Sequence, residues 1–365
     1  LDVAHASVLF RWPALMVAQV PAPARGAVIG RLALRLALLT VVPAAAVSAP
    51  VEGGPSKVKV GAYDAYIYAP APPSPPRALP VVLFVGGAGG IEPAQGYSEL
   101  LSKVADHGFL VVGLDRESLI DYPLAGRQFL DVLAWAQRQD GLAKAVRDSG
   151  SSISLNISRL SVMGQSSGNH ILGMALGQSC SAVQAWVMID PVDGFDPFRI
   201  VKSEDLITPG QKLNFTLPAL MLDNGLDPSR DDIPGFPPCA PPNLSNDRFY
   251  DAMRGPIWAI NATAYGHMDC MDTQGFLCPT NKSTDKAAYK GMLAQASATF
   301  LGALFGSRPR IDLALLEDAS DFDISVVTKH DLKGLAHDEI RPGCTSASAP
   351  PRARDSSFVS AALVV

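Results

Sequence analysis

The fold is decided by the sequence LSVMGQSSG at residues 160–168. Leu160–Met163 is an apolar run of strand length, and a helical pattern follows Gly168. A Gly-x-Ser-x-Gly turn between a strand and a helix is typical of a nucleophile elbow, in which small neighbours permit a strained serine that projects its hydroxyl above the sheet. The stretch therefore predicts Ser166 as a nucleophile, with a structural Gly/Ser turn as the alternative.

Short apolar runs alternate with helical patterns on both sides of this elbow. The predicted strands are Val81–Val85, Phe109–Leu114, Ala185–Ile189, Leu217–Leu222 and Ile257–Asn261, and the predicted helices are Tyr97–His107, Phe129–Arg138, His170–Gly177 and Ala287–Leu304. Uniformly apolar strands that alternate with helices indicate a mostly parallel central sheet with helices on both faces. A turn at Gly61 between Lys57–Val60 and Ala65–Tyr68 adds an antiparallel edge hairpin. Together with the elbow, this alternation predicts the α/β-hydrolase fold.

The two ends of the chain differ from its middle. Residues 1–50 contain four Arg, a single acid and an apolar run from Leu36 to Val47, as expected of an N-terminal targeting segment. The pattern of strands and helices fades after Gly306, and residues 341–357 are rich in Pro, Ser, Ala and Arg. We therefore predict a catalytic domain at residues 55–306 and a largely disordered C-terminal extension at 307–365.

The cellular compartment is indicated by Asn-x-Ser/Thr triplets, which are glycosylation acceptors in secreted proteins. Five of the eight Asn begin such a triplet, more than chance would place: Asn156, Asn214, Asn243, Asn261 and Asn281. The triplets favour a secretory route. A chloroplast is the alternative, because the Arg-rich and acid-poor N-terminal segment also fits a transit peptide.

Charge and cysteine spacing exclude several functions. The 365 residues carry a net charge of −5 with no basic block in the body of the chain, so we expect no nucleic-acid partner. The five Cys form no C-x-x-C pair, and the loop Gly86–Gly90 lacks the G-x-G-x-x-G spacing, so neither a metal nor a dinucleotide cofactor is predicted. In an oxidising compartment one disulfide can form among Cys239, Cys270 and Cys278.

A serine nucleophile needs a base to take its proton, and His267 is the candidate. It follows the last predicted strand, which keeps the chain order Ser, acid, His of the fold. A structural role is the alternative for this residue. The other histidines are explained by their positions: His5 in the targeting segment, His107 at a helix end, His170 facing away on the elbow helix, and His330 and His337 in the extension.

The carboxylate that orients His267 has two candidates. Asp190 ends the strand after the elbow, and Asp227 follows the next strand, so the residues alone do not choose between them. Two backbone N–H groups are the expected donors to an oxyanion. One belongs to Ser167, at the start of the elbow helix, and the other to Ala88, in the glycine-rich loop after the first long parallel strand.

Three motifs resemble those of plant chlorophyllases, in the same order and at similar separations. They are IDPVDG at Ile189–Gly194, FPPCAP at Phe236–Pro241 and YGHMD at Tyr265–Asp269, the last followed by Asp272. The resemblance covers roughly residues 80–305. It implies an α/β-hydrolase without a cofactor that cleaves the phytyl ester of chlorophyll to chlorophyllide and phytol, with the acid in the DPV motif, here Asp190. Contact with a pigment-bearing membrane surface is a further expectation.

The chain departs from the family at the rim of the site. Where the family has G-H-S-R-G-G, Gln165 replaces the His, Ser167 the Arg and Asn169 the last Gly, and Gly86-Gly87 replaces a His-Gly before the oxyanion loop. These changes leave the three predicted triad residues in position. Two other functions therefore stay open: a carboxylesterase or lipase for simpler apolar esters, and an inactive homologue that binds tetrapyrrole. The sequence indicates no oligomeric state.

Overall fold

The computed structural model describes residues 55–71, 77–90, 92–116, 121–194, 204–227, 238–273, 278, 284–306 and 309–346. The predicted targeting segment at residues 1–50 lies outside the described residues, as do residues 347–365 of the predicted extension.

Every predicted strand and helix is present, with shifted ends. The strands are β1 (Ser56–Val60), β2 (Tyr63–Tyr68), β3 (Leu79–Val85), β4 (Leu110–Arg116), β5 (Leu155–Gln165), β6 (Trp186–Ile189), β7 (Phe215–Thr216), β8 (Ala219–Asn224), β9 (Ile257–Ala262), β10 (Val326–Asp331) and β11 (Thr345–Ser346). The helices are α1 (Gly87–Gly90), α2 (Ser98–Asp106), α3 (Tyr122–Gln137), α4 (Leu142–Asp148), α5 (Gly168–Gln178), α6 (Asn246–Ala252), α7 (Lys286–Phe305) and α8 (Pro309–Ala314). Helix α3 begins earlier than predicted because the Asp121 carboxylate accepts the Leu124 N–H at 2.8 Å and caps the helix.

Nine of the eleven described strands form one sheet in the order β1-β2-β4-β3-β5-β6-β8-β9-β10, and β7 pairs separately with β11. Pairing is parallel from β4 through β9 and antiparallel at both edges. The predicted edge hairpin is β1 and β2, joined through Gly61 at a φ of 58°. This mostly parallel sheet is the α/β-hydrolase fold that the sequence predicts.

Helices cover both faces of the sheet, and β3 illustrates why. Val81, Leu83 and Val85 pack in the hydrophobic cluster that contains α3 and α5, whereas Val82 and Phe84 pack in the cluster that contains α2 and α7. Successive side chains of a strand point to opposite faces, so a central strand must be apolar throughout. The loops at the carboxyl ends of the parallel strands remain at one edge, where such folds carry their sites.

The C-terminal boundary predicted at Gly306 is wrong. Strand β10 pairs antiparallel with β9 along its whole length, and Cys344 forms a disulfide with Cys180. The domain therefore continues to Ser346. The sequence concealed β10 because it is an edge strand: most of its residues are exposed or half-buried, Val327 among them, so it lacks the apolar run of a central strand.

The described residues form two disulfides, and only one of them was predicted from the sequence. Cys239 pairs with Cys278, one of the pairings that the sequence left open, and Cys270 is a buried free thiol. The Cys180–Cys344 disulfide joins residues 164 positions apart, a separation that carries no local signal. Among the helices that the structure describes, none combines the length and the apolar character needed to cross a membrane.

Candidate active site

The predicted nucleophile elbow is formed at the junction of β5 and α5. Ser166 has a φ of 52°, in the left-handed region that is unfavourable for a residue with a Cβ. The flanking glycines are required by packing, since a Cβ at Gly168 would lie 2.4 Å from the Val85 carbonyl oxygen and a Cβ at Gly164 would lie 2.6 Å from Asn169 Oδ1. The chain thus holds a strained serine at the carboxyl edge of the sheet.

The imidazole of His267 lies against this serine. Its Nε2 is 2.8 Å from Ser166 Oγ, and its Nδ1 forms a short hydrogen bond with Oδ2 of Asp190. Ser166, Asp190 and His267 are all buried. The structure therefore brings together the three residues predicted as nucleophile, acid and base, in the hydrogen-bonded order that activates a serine hydroxyl.

Both candidate acids reach His267, but not equally. Asp227 Oδ2 lies 3.5 Å from Nδ1, farther than the hydrogen-bonded Asp190. The other oxygen of Asp190 accepts a 2.9 Å hydrogen bond from Asn246 Nδ2. The two carboxyl groups come close because β6 and β8 are parallel neighbours, and each residue follows the end of one of these strands.

The two carboxyl groups have opposite pKa shifts. Burial disfavours the charged form of Asp190, but the positive charge of His267 and the hydrogen bonds to the carboxylate outweigh it, so the pKa of Asp190 is lowered. Burial and the adjacent Asp190 charge raise the pKa of Asp227 well above its usual range. The electrostatics thus favour the ionised form of Asp190 beside His267 and the protonated form of Asp227.

The pKa of His267 is raised above its ordinary value. Burial favours the neutral ring, but the Asp190 charge and the hydrogen bond to Asp190 favour the imidazolium more strongly. Oxygens of Asp190 and Asp227 and a ring nitrogen of His267 lie within 4.8 Å of one another, a spacing that could also hold a metal ion. Both ring nitrogens are engaged by Asp190 and Ser166, so the arrangement fits proton transfer better than metal ligation.

The loop that carries His267 is anchored by the two other acids of its motif. Asp269 accepts the Gly266 N–H at 2.9 Å and lies 3.0 Å from Lys286 Nζ. Asp272 lies 2.8 Å from Lys290 Nζ. Both lysines are on α7, so the two ion pairs hold the histidine loop against the end of that helix.

Comparison with known proteins now agrees with the motifs. The sequence model of the Chlorophyllase family matches residues 65–315. The chain belongs to the chlorophyllase family. It is 26% identical over 282 residues to chlorophyllase-2 from Arabidopsis thaliana, covering 70% of this chain and 86% of that protein. Chlorophyllase-1 from the same plant is 26% identical over 279 residues, covering 68% and 82% of the two chains.

A solved structure of a ferulic acid esterase from Streptomyces cinnamoneus aligns with a TM-score of 0.43 and 16% identity, covering 62% of this chain and 67% of that one. The family membership, together with the buried serine and histidine in hydrogen-bond contact, identifies this chlorophyllase-family chain as a carboxylic ester hydrolase.

Two family departures in the elbow have structural explanations in this enzyme. Asn169 accepts a 3.1 Å hydrogen bond from Trp186 Nε1 and donates one of 3.2 Å to the Ser166 carbonyl. It thereby ties the start of α5 to β6. Gln165 is buried beneath the nucleophile and hydrogen-bonds to Tyr97 and to the backbone of His267.

The predicted oxyanion donors belong to segments that adjoin Ser166. Ser167 is the next residue and stands at the N-cap position of α5. A Cβ at Gly87 would lie 3.4 Å from Ser166 Cβ, so the glycine-rich loop runs directly beside the nucleophile. The Gly87 N–H donates to Tyr97 Oη at 3.1 Å, and Ala88, with a φ of 49°, contributes the next amide along the loop.

Asp193 precedes Gly194, as a turn residue often does, but it is a buried anchor. It lies 2.8 Å from His170 Nδ1 and 2.8 Å from Arg248 Nη2, and it accepts the N–H groups of Leu206 and Ile207 at 2.9 and 3.0 Å. Its carboxylate joins α5, α6 and the segment between them. His170 serves this network, in agreement with the prediction that it faces away from the Ser166 hydroxyl.

Two residues of the site were not singled out from the sequence, Tyr97 and Asn246. Asn246 is 56 positions from Asp190, and Tyr97 is 68 positions from Gln165. Partners so far apart leave no spacing pattern in one sequence, so only the fold reveals them.

A cavity of about 560 Å³ lies beside Asp227, at the carboxyl ends of β8 and β9. Acids and amides such as Asp223 and Asn261 share its lining with apolar residues such as Val327, and Lys329 contributes one positive charge.

Proposed function

We propose that this enzyme hydrolyses the phytyl ester of chlorophyll to chlorophyllide and phytol. The observation that carries the proposal is the hydrogen-bonded series Ser166, His267, Asp190. Its histidine and its acid lie within two of the three motifs that resemble those of chlorophyllases, and the relatives from Arabidopsis thaliana bear that name.

In the proposed acylation step, Ser166 Oγ attacks the ester carbonyl while His267 Nε2 takes the hydroxyl proton. The tetrahedral intermediate carries a negative oxygen, which the N–H groups of Ala88 and Ser167 would hold, each worth about 3 kcal/mol. When the intermediate collapses, the imidazolium gives its proton to the departing phytol oxygen. The propionyl side chain of the pigment remains on Ser166 as an ester.

Deacylation repeats the same proton movements with water. His267 takes a proton from the attacking water, and the second tetrahedral intermediate releases chlorophyllide as the carboxylic acid while the proton returns to Ser166 Oγ. Ionised Asp190 stabilises the imidazolium that forms in each step. The reaction consumes one water and requires no cofactor.

The test is incubation of the purified protein with chlorophyll a in detergent, followed by chromatography for chlorophyllide. The proposal expects chlorophyllide to form with the wild type and not with Ser166→Ala. Rates on short p-nitrophenyl esters are measured in parallel. Hydrolysis of those esters with no chlorophyllide would indicate a general carboxylesterase, and tetrapyrrole binding without hydrolysis of any ester would indicate an inactive homologue.

We also propose a secretory route for the chain. Two disulfides suit an oxidising compartment, and the triplet residues Asn214 and Asn243 are exposed. Relatives from Citrus carry the word chloroplastic in their names, so a plastid is the competing destination. A mobility shift of the native protein after digestion by a peptide N-glycosidase would support secretion. Because its substrate is a membrane pigment, we expect the enzyme to work at a membrane surface.

A further inference from the structure

A buried series of hydrogen bonds connects the three segments that meet at Ser166. The glycine-rich loop Gly86–Gly90, which carries the proposed oxyanion donor Ala88, is here called the oxyanion loop, and its Gly87 N–H donates to Tyr97 Oη at 3.1 Å. Tyr97 Oη donates to Gln165 Oε1 at 3.0 Å, and Gln165 Nε2 donates to the His267 carbonyl oxygen at 3.2 Å. Two side chains thus link the oxyanion loop, the elbow and the histidine loop.

These groups are sealed from solvent. Tyr97 is 0% exposed and Gln165 is 1% exposed. A buried polar group that loses its partner pays its desolvation cost in full, because water cannot replace the lost bond. The Tyr97 ring is also fixed, since it packs edge-on against Phe84 with the ring centres 4.9 Å apart. The arrangement can therefore hold its bonded partners in a single geometry.

The close packing at Gly87 involves the same two side chains, Tyr97 and Gln165. A Cβ there would lie 2.3 Å from Gln165 Oε1 and 3.4 Å from Tyr97 Oη. The loop approaches this closely only because residue 87 is a glycine, and the Gln165 amide oxygen occupies the space that a side chain would need. The identity of residue 165, where the family has His, is thus coupled to the position of the oxyanion loop.

We propose that Tyr97 and Gln165 are positioning residues for ester hydrolysis, which hold the oxyanion loop and the His267 loop in register with Ser166. The inference rests on the proposed serine mechanism. A displacement of about 1 Å at reacting groups can cost about a hundredfold in rate. We therefore expect this series of hydrogen bonds to affect kcat rather than substrate affinity.

The first test compares Tyr97→Phe with Tyr63→Phe. Tyr63 is an equally buried tyrosine on β2, three strands from β5 in the sheet, and its hydroxyl donates one hydrogen bond, to the Ala125 carbonyl at 3.2 Å. We expect Tyr97→Phe to lower kcat on p-nitrophenyl butyrate about tenfold to a hundredfold, with KM changed less than about threefold. Tyr63→Phe should leave kcat within about twofold. Equal kcat in both variants would overturn the inference.

The second test dissects Gln165. Gln165→Leu removes both bonds, the one from the Tyr97 hydroxyl and the one to the His267 carbonyl oxygen. Because the two residues act through one series of bonds, Tyr97→Phe combined with Gln165→Leu should be slower than Gln165→Leu alone by less than about threefold. Fully multiplicative losses would show that the residues act separately.

A covalent readout separates this inference from the proposed substrate. Diethyl p-nitrophenyl phosphate labels an activated serine and releases p-nitrophenol whether or not chlorophyll is a substrate. We expect the labelling rate of Tyr97→Phe to fall in proportion to its kcat, while its melting temperature stays close to that of Tyr63→Phe. Wild-type labelling without chlorophyllide formation would reject only the pigment substrate. An unchanged labelling rate in Tyr97→Phe would reject the positioning role.

Discussion

The side-chain amide of Asn246 donates a 2.9 Å hydrogen bond to Oδ1 of Asp190. Asn246 is the first residue of α6, and that helix is itself held by the ion pair between Arg248 and the buried Asp193. The contact turns the second oxygen of Asp190 toward Nδ1 of His267. Helix α6 thereby orients Asp190, the proposed acid, although none of the three proposed triad residues lies on this helix.

Replacement of Asn246 by Ala should therefore slow ester hydrolysis. A hydrogen bond to a charged group contributes about 1.5–3 kcal/mol, so we expect kcat to fall at least about tenfold. Asn243→Ala is the matched control, because that asparagine is exposed and lies one turn before the helix. Initial rates on p-nitrophenyl butyrate measure both variants. Similar rates for the two would remove Asn246 from the site.

Ser166→Ala should abolish hydrolysis without unfolding the chain. Alanine occupies less space than serine and meets the same backbone strain at a φ of 52°, so the elbow should persist. We expect a loss in kcat of more than about a thousandfold, together with loss of phosphorylation by diethyl p-nitrophenyl phosphate. A circular dichroism spectrum checks the fold. Activity within tenfold of the wild type would exclude Ser166 as the nucleophile.

We expect the pKa of His267, the proposed base, to set the pH dependence of the enzyme. The imidazole must be neutral to take the Ser166 proton, and the Asp190 charge raises its pKa despite the opposing effect of burial. Protonation therefore inactivates the base at a higher pH than for a free histidine. We expect the rising limb of the kcat/KM profile to have its midpoint above the ordinary histidine pKa, and Asp190→Asn to move that midpoint downward. A midpoint unchanged by Asp190→Asn would contradict the assigned pair.

The Cys180–Cys344 disulfide should stabilise the whole domain. It joins residues 164 positions apart, and a disulfide across a long loop contributes about 2–5 kcal/mol by restricting the unfolded chain. The Cys239–Cys278 disulfide spans only 39 positions, so its entropic contribution should be smaller by about 1 kcal/mol. Replacing the cysteines of the first pair by Ser should lower the Tm more than replacing those of the second, as calorimetry would measure. An unchanged Tm in the first variant would argue that the C-terminal residues are not part of the domain.

The fold could be predicted where burial imposes a pattern. The central strands are apolar throughout because helices cover both faces, and the elbow glycines are fixed by the close contacts around Ser166. His267 could be chosen by elimination among six histidines. Each of these inferences uses information carried by neighbouring residues in the sequence.

The remainder depends on long-range pairing. Strand β10 is an exposed edge strand that is held by hydrogen bonds to β9. Because few of its side chains are buried, its sequence lacks the apolar pattern that would have predicted a strand. Asp193 precedes a glycine like a turn residue, but its partner Arg248 is more than fifty positions away and buries it. The Tyr97–Gln165 contact has the same character. Such features follow from the topology rather than from local propensity.

The choice between Asp190 and Asp227 gives the sharpest prediction. Asp190 is hydrogen-bonded to His267 and its pKa is lowered, whereas Asp227 lies 3.5 Å from the same nitrogen and its pKa is raised. Asn at position 190 preserves size but removes the charge that stabilises the imidazolium and can favour the wrong tautomer, a loss of about 10⁴ in kcat in the best-studied triad. Asn at position 227 exchanges one neutral group for another, at a cost of about 1 kcal/mol. We therefore expect Asp190→Asn to lose at least about a thousandfold in kcat on p-nitrophenyl butyrate, and Asp227→Asn less than about tenfold. The reverse ranking would transfer the role of acid to Asp227 and would detach the DPV motif from the chemistry.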